Sequence, residues 1–394
     1  MPSIERILYI CHSKEVGGAE LYLEGLMRYA SDRRTEGQPQ WNVQLICRKD
    51  TVLDEWVGRV TATGATVHRL DMRYPADYWN MLREIRRADV VHLLVAYPAG
   101  KYQLAAALLA ATGGRPLIAT HQIAVDLRDS QLGMLRRMFW RAAFRLYGLI
   151  ARRNIASSRL GWDVLVRRYG FAERTTRLIY NGADLSLFQP ISGAARSRAR
   201  DAIAASVGAG RWPADALLAC TVARFTGQKG LNDLIDAAAD VVRDCQRAFF
   251  VLVGDGELRG QLVKRVEGHH LDRHFWFAGR RPLAEIATWL GAMDLFVLSS
   301  HDEGMPLALL EAMAAGCPAV ATNVGGVGDV IADESVGKLV PPRNVTALAA
   351  AITEVFANDD ERLSMSEAAR NRVTSTFDVE RCYRETTALY CEVR

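Results

Sequence analysis

A chain of 394 residues, 49% of them hydrophobic and 24% charged, has material for two hydrophobic cores at roughly 100–200 residues per domain. That composition excludes a disordered, fibrous or small disulfide-stapled protein. The net charge of +4 hides an asymmetry: residues 1–190 carry 27 Lys and Arg against 18 Asp and Glu, net +9, and the remainder 22 against 27, net −5. The first part is therefore the one expected to meet an anionic partner. Apolar runs such as 104–111 fall far short of the ~18 residues of a membrane span, and Ile7 to Cys11 is too short for a secretory core. Seven scattered cysteines without a C-x-x-C pair read as reduced cytosolic thiols, with neither a disulfide framework nor a zinc site.

In chain order, apolar runs predict strands at Ile7–Cys11, Val43–Cys47, Val90–Leu94 and Leu117–Thr120, then at Leu217–Val222, Phe249–Val253, Leu295–Leu298 and Ala319–Thr322, with helical patterns between them. Strand and helix alternating throughout predicts two doubly wound parallel sheets. The segment Arg196 to Pro213, rich in Ala, Ser, Gly and Arg, reads as the connection, and places the domain boundary near residue 190. In such sheets ligands sit at the carboxyl ends of the strands, so the loops there are the places to look for chemistry.

After the first strand, Gly17-Gly18-Ala19-Glu20 opens onto a helical pattern from Leu21. A glycine pair at a helix N-terminus brings backbone N–H groups close to an anion, although glycines in such turns also serve simple steric needs. Thr120-His121 puts an imidazole at the next sheet edge, and His92 ends a strand in the same way. A lone histidine there serves equally as a satisfied polar group, the role expected of His92.

The second half says more. Arg224 ends a strand and Lys229-Gly230 stands directly before the helix from Leu231. A guanidinium that forks onto two oxygens and an ammonium five positions on make a phosphate clamp. Two cations oppose the dipole of a helix N-terminus, which favours a ligand-binding reading over a solvated face. In Ser299-Ser300-His301-Asp302-Glu303-Gly304-Met305-Pro306-Leu307 and onward through Gly316-Cys317-Pro318, the prolines and the glycine predict a helix over 306–315. Glu303 then precedes that helix and Glu311 lies in its second turn, so two carboxylates flank N–H groups able to hold a diphosphate. Carboxylates grip sugar hydroxyls, and an idle Glu311 among Leu309, Leu310, Ala312 and Met313 would be costly.

Two features carry less. His269, His270 and His274 have one zinc-like spacing, but Gly268 interrupts the helix and the ligand count is short. Met134 to Arg153 sets Leu135, Met138, Phe139, Ala142, Leu146 and Leu149 on one face and Arg137, Arg141 and Arg145 on another. This pattern fits a sheet-covering helix with its apolar face inward and fits equally a helix lying on an anionic membrane.

Taken in order, Gly17-Gly18-Ala19-Glu20, His121, Ile179-Tyr180-Asn181-Gly182-Ala183-Asp184 with Phe188 and Pro190, Arg224 with Gln228-Lys229-Gly230, Val253-Gly254-Asp255-Gly256-Glu257-Leu258, Phe277-Ala278-Gly279, and Glu303 to Glu311 through Gly325-Gly326 resemble the retaining GT-B glycosyltransferases of family 4, over nearly the whole chain. Met305-Pro306 stands where Phe-Gly is common in that family, and Gly328-Asp329 where Pro-Glu is common. The resemblance implies a GT-B fold, α/β, of two Rossmann-like domains facing across a cleft: an acceptor domain over 1–190, a nucleotide-sugar domain over 191–377, and a last helix over 378–393 packing back on the first. It implies catalytic roles for Glu303, His121, Arg224 and Lys229. Donor binding would fall to Gly17, Gly18, Arg224, Lys229, Gly254, Arg280, Glu303, Gly304, Met305, Pro306, Leu307 and Glu311.

The expected activity is retaining transfer of a hexose-type sugar from a UDP- or GDP-sugar to a hydroxyl of a glycan or lipid-linked acceptor, in cell-surface polysaccharide, lipopolysaccharide or glycolipid synthesis. The nucleotide sugar is a co-substrate, and no cofactor, metal or nucleic acid is expected. The protein is expected in the cytoplasm, with the basic N-terminal domain at an anionic membrane surface. The alternatives are a sugar-nucleotide epimerase of the same fold and a catalytically silent sugar-nucleotide-binding partner.

Overall fold

The structure, a computed structural model, describes residues 4–32, 41–95, 101–123, 133–207, 213 and 215–394. The chain divides into two compact units, Met1–Asn181 with Glu380–Arg394, and Gly182–Val379. The division thus falls before Gly182 rather than at residue 190.

The first unit holds β1 (Arg6–Cys11), β2 (Asn42–Arg48), β3 (Thr66–Leu70), β4 (Val90–Val95), β5 (Leu117–His121), β6 (Arg153–Ala156) and β7 (Thr176–Leu178). All pair parallel, in the order β3-β2-β1-β4-β5-β6-β7. Side chains alternate across β1: Ile7 and Tyr9 enter a core with Leu23, Leu26, Trp56 and Tyr390, while Leu8 and Ile10 enter another with Ile85, Leu93, Phe144 and Tyr147. Burial on both faces is what a parallel sheet under crossover helices requires. The last helix, Val379–Glu392, places Tyr390 in the first of these cores. There the Tyr390 hydroxyl lies 2.6 Å from His92 Nδ1 and donates to the Tyr9 hydroxyl at 3.1 Å.

The second unit holds β8 (Leu217–Val222), β9 (Ala248–Val253), β10 (Phe275–Gly279), β11 (Leu295–Leu298), β12 (Ala319–Thr322) and β13 (Lys338–Val340), also parallel and ordered β10-β9-β8-β11-β12-β13. Its core joins Phe250 and Leu252 of β9 to Ile235 and Val241 of the helix Leu231–Asp244 and to Ile352 and Val355. Both orders step outward from a central first strand, the doubly wound arrangement.

One sequence expectation is corrected here, and one of two open readings is set aside. The segment read as a connection forms the helix Gly193–Val207, because Arg196 and Arg200, one turn apart, both reach the buried carboxylate of Asp294, at 2.7 and 3.0 Å; Gly208 and Gly210 lie outside the described residues. Helix Met134–Ile150 buries Ala143, Phe144 and Tyr147 and leaves the face of Leu135, Met138, Phe139, Leu146 and Leu149 exposed, the reverse of an inward apolar face.

Candidate functional site

In the second unit the loop after β11 and the loop after β8 meet. Lys229 Nζ lies 2.6 Å from Glu303 Oε1, and Ser300 Oγ donates to the same oxygen at 2.6 Å. Glu303 is buried and Lys229 half-buried. The local backbone explains why they meet. Gly227–Lys229 is a single 3-10 turn, and Gly230 follows at φ +59 as the N-cap of the helix Leu231–Asp244. A side chain on Gly230 would run into the Ser299 carbonyl, so only glycine lets the Lys229 turn lie against the β11 loop. His301 N donates to the Gln228 carbonyl at 2.7 Å, Gln228 Nε2 donates to the Asp302 carbonyl at 2.9 Å, and the His301 ring meets Asp233 at 2.7 Å. The two loops are therefore laced by side chains and backbone around the ion pair. Burial, reinforced by the charge of Glu303, raises the Asp302 carboxyl above its usual range.

The helix behind Glu303 spans Leu307–Ala314 with Pro306 as its N-cap, one residue shorter at each end than the sequence predicts. Pro306 is extended, with ψ 97, so it leads into the helix instead of forming its first turn. At the other end Gly316 N donates to Met313 O at 3.1 Å and Cys317 N to Ala312 O at 2.9 Å, a Schellman close. Gly304, Met305 and Pro306 are buried, Leu307 partly so. Glu311 sits in the second turn among buried Leu309, Leu310, Ala312 and Met313; its surroundings push its carboxyl up to about 7, by desolvation.

Gly254 follows β9 at φ +130, where a Cβ would strike the Ala223 carbonyl beside Arg224. Glycine is thus needed for the β8 and β9 ends to close on one another. Arg224 is exposed beyond β8, and Arg280 is exposed just past β10. Lys229, Glu303 and Ser300 are brought into direct contact. Arg224, Gly254, Arg280 and the 304–307 backbone share the carboxyl edge of the same sheet. Ser300 and the His301–Asp233 pair were not anticipated, although Ser299-Ser300-His301 stands in the same motif as Glu303 and a hydroxyl three positions before a buried carboxylate is a readable partner.

In the first unit Gly17 is the N-cap of the helix Gly18–Ser31, which starts three residues before the expected Leu21. The Gly17 N–H donates to the unit's own Glu20 carboxylate at 2.7 Å, and Ser13 binds the other oxygen. A carboxylate therefore already answers the dipole at this helix end. His121 ends β5 and is buried, 3.2 Å from Asn154 Oδ1 and edge-on to Tyr147 and Phe171. Burial lowers its pKa to about 4, so the ring is neutral near pH 7. Beside it Asn181 Nδ2 donates to Gln122 Oε1 at 2.7 Å, while Gln122 Nε2, Asn154 Nδ2 and Asn181 Oδ1 find no partner among the described residues. Buried polar atoms of this kind are where a polar ligand gains most. His92 is a satisfied core residue held by Tyr390 and Thr120.

The first unit also has a cavity of about 590 Å³ lined by Arg73, Tyr78, Trp79, Lys101 and Tyr102, among others; the His12 ring stacks on Tyr102 at 4.1 Å. Its aromatic residues come from separate helices, so no contiguous motif announces it. Of the three discounted histidines, His269 pairs with Asp236 at 2.9 Å and His274 with the Ala248 carbonyl at 2.9 Å. No group of three His, Cys, Asp or Glu able to hold a metal comes together among the described residues.

Residues 206–372 match the family described as Glycosyl transferases group 1, and residues 16–187 match Glycosyltransferase Family 4. The glycogen synthase of Mycobacterium tuberculosis is 32% identical over 191 residues, 47% of this chain and 46% of that protein. The amylovoran biosynthesis glycosyltransferase AmsK of Erwinia amylovora is 30% identical over 171 residues, 42% of each chain. The matched stretch thus spans less than half the length of these curated relatives. Among solved structures, Anabaena HepE in complex with UDP superimposes with a TM-score of 0.80 at 21% identity, over 98% of this chain and 100% of that one. The two sheets are those of the GT-B class, two Rossmann-like domains in one chain. Within that class, the chain belongs to the family 4 glycosyltransferases.

Proposed function

We propose that this chain is a retaining, metal-independent hexosyltransferase that moves a sugar from a UDP- or GDP-sugar to a hydroxyl of a glycan or lipid-linked acceptor. The observation that carries the reading is the ion pair of Lys229 and Glu303, with Ser300 on the same oxygen, at the carboxyl edge of the second sheet. Arg224 and Lys229 supply charge for a diphosphate; the backbone at the start of the helix Leu307–Ala314 supplies donors. Glu303 accepts from hydroxyls of the transferred sugar, and Glu311, once ionised, from those of the ribose. Gly254 lets the chain pass close to the phosphates and Arg280 lies beside the base. In the first unit we assign Gly17 and Gly18 to the diphosphate and neutral His121, with its orphaned neighbours, to the sugar hydroxyls.

In the reaction the bond from the anomeric carbon to the diphosphate breaks, its electron pair leaving with the nucleotide. The acceptor oxygen forms its bond to that carbon on the same face, and the acceptor proton passes to the departing phosphate oxygen. Stabilising the growing charge of the leaving group supplies most of the acceleration. That HepE has been crystallised with UDP and with UDP-glucose supports a nucleotide-sugar donor. Relatives named for amylovoran and colanic acid biosynthesis support a role in cell-surface polysaccharide or lipopolysaccharide assembly. The cavity of Trp79, Tyr102, Arg73 and Lys101 offers ring faces and cations to an anionic glycan acceptor. We place the protein in the cytoplasm, at the inner membrane surface. No helix among the described residues is long and apolar enough to cross a membrane.

The test is nucleotide release from a panel of UDP-, GDP- and ADP-sugars, with Glu303→Ala and Lys229→Ala as controls. Slow hydrolysis of one donor, lost in both variants, is the expected result. Conversion of the donor to an epimer, or tight binding with no turnover for any acceptor, would overturn the transferase reading.

A further inference from the structure

The helix Met134–Ile150 is apolar on two sides. Inward, Ala143 is buried, Phe144 and Tyr147 join the core of the first unit, and Phe144 stacks on Tyr169 at 4.6 Å. Outward, Met134 (69% exposed), Leu135 (78%), Met138 (62%), Phe139 (60%), Leu146 (44%) and Leu149 (82%) stand in solvent. At 100° per residue these six fall within an arc of about 140°. A monomer's surface rarely gathers so many large apolar side chains on one element without a partner for them.

The charge around the face selects the partner. No acidic residue stands between Asp129 and Asp163, while seven arginines do. Arg141 and Arg145 are exposed at one edge of the apolar arc, and among the described residues no ion pair engages them. A second copy of this chain docked face to face would bring these arginines against each other with no carboxylate on the helix to meet them. An anionic lipid surface answers both features, acyl chains for the arc and phosphates for its edge.

We propose that the helix Met134–Ile150 lies flat in the interface of a bilayer containing anionic lipid. It inserts Leu135, Met138, Phe139, Leu146 and Leu149 to the depth of the acyl chains and sets Arg141 and Arg145 among the phosphates. The proposal deepens the membrane part of the reading above by naming the element that binds, and it uses none of the residues assigned to transfer.

The experiment is co-sedimentation of the full chain with vesicles of phosphatidylcholine alone and of phosphatidylcholine mixed with phosphatidylglycerol. Wild type should pellet with the mixed vesicles and stay in solution with the neutral ones. The triple variant Leu135→Gln, Phe139→Gln, Leu149→Gln, all at exposed positions, should bind at least tenfold more weakly. Arg141→Gln with Arg145→Gln should lose roughly 30-fold, at about fivefold per charge. Thermal unfolding and donor hydrolysis without vesicles should match wild type in both variants. Equal recovery with the two vesicle types would overturn the proposal, as would wild-type pelleting of the triple variant. So would a dimer in light scattering that the triple variant dissociates, which would give the face to a second copy. Hydrolysis surviving without vesicle binding would sink this inference alone; vesicle binding without any use of donor would sink the transferase reading alone.

Discussion

Lys229 and Glu303 neutralise one another at 2.6 Å, so each removal leaves the other uncompensated. Lys229→Ala strands a buried carboxylate that keeps the Ser300 hydroxyl as a donor, and should cost about 1–3 kcal/mol of stability. Turnover should fall by on the order of 100-fold or more, through loss of the charge facing the leaving diphosphate. Adding Glu303→Gln should restore the urea midpoint but not the rate, which separates the structural from the chemical contribution. Glu311 acts in the opposite sense. Its carboxyl is pushed up to about 7 from an ordinary 4.5 by burial, so between those values the folded state binds more protons than the unfolded one. Stability should then fall as pH rises from 4.5 through 7, and Glu311→Gln should flatten that part of the urea-midpoint profile. Both carboxylates were legible in the sequence, Glu303 because it stands just before the helix that Pro306 predicts and Glu311 because its neighbours in that helix are apolar. Ser300 was passed over because a serine beside another serine carries no signal until its strand end is placed.

At the scale of elements, β1, β2, β4, β5, β8, β9, β11 and β12 could be read as runs of buried apolar residues. The strands that escaped have specific reasons. β3 and β13 are sheet edges, and β3 reads Thr-Val-His-Arg-Leu, polar where it meets solvent. β7 is an edge of three residues. β6 is interior but begins Arg153-Asn154, a polar start whose Asn154 Oδ1 is held by His121. Such pairings exist only in three dimensions. The final helix also depends on contacts distant in sequence. Tyr390 bonds both His92 and Tyr9, so Tyr390→Phe should cost about 1–3 kcal/mol, readable in thermal unfolding of the full chain, while leaving donor binding by the second unit unchanged in titration calorimetry.

At the scale of the molecule, each unit has its own sheet and its own buried clusters. Calorimetry should therefore resolve two transitions, with opposite responses to pH. Burial lowers His92 to about 3 and His121 to about 4. These rings must be neutral in the fold, and the stability they hold above 6.5 is lost as pH falls towards 4. The first unit's transition should drop in acid, and the second unit's should fall as pH rises from 4.5 through 7, because of Glu311. A nucleotide sugar at 100 times its Kd should raise the second transition by about 2.7 kcal/mol; an unchanged second transition would remove the donor from that unit.

The first unit is made of two pieces of chain, Met1–Asn181 and Glu380–Arg394, and the second is continuous between them. Synthesis delivers these pieces in an order that folding cannot follow. When residue 181 leaves the ribosome, Tyr9 and His92 still lack Tyr390, and the nearly two hundred residues of Gly182–Val379 must be translated before it arrives. At 5–20 residues per second that wait is roughly 10–40 seconds, and throughout it the first unit has an unfinished flank, whereas the second is complete as soon as its own residues are made. The nascent protein is therefore most exposed to chaperones and proteases at the part made first.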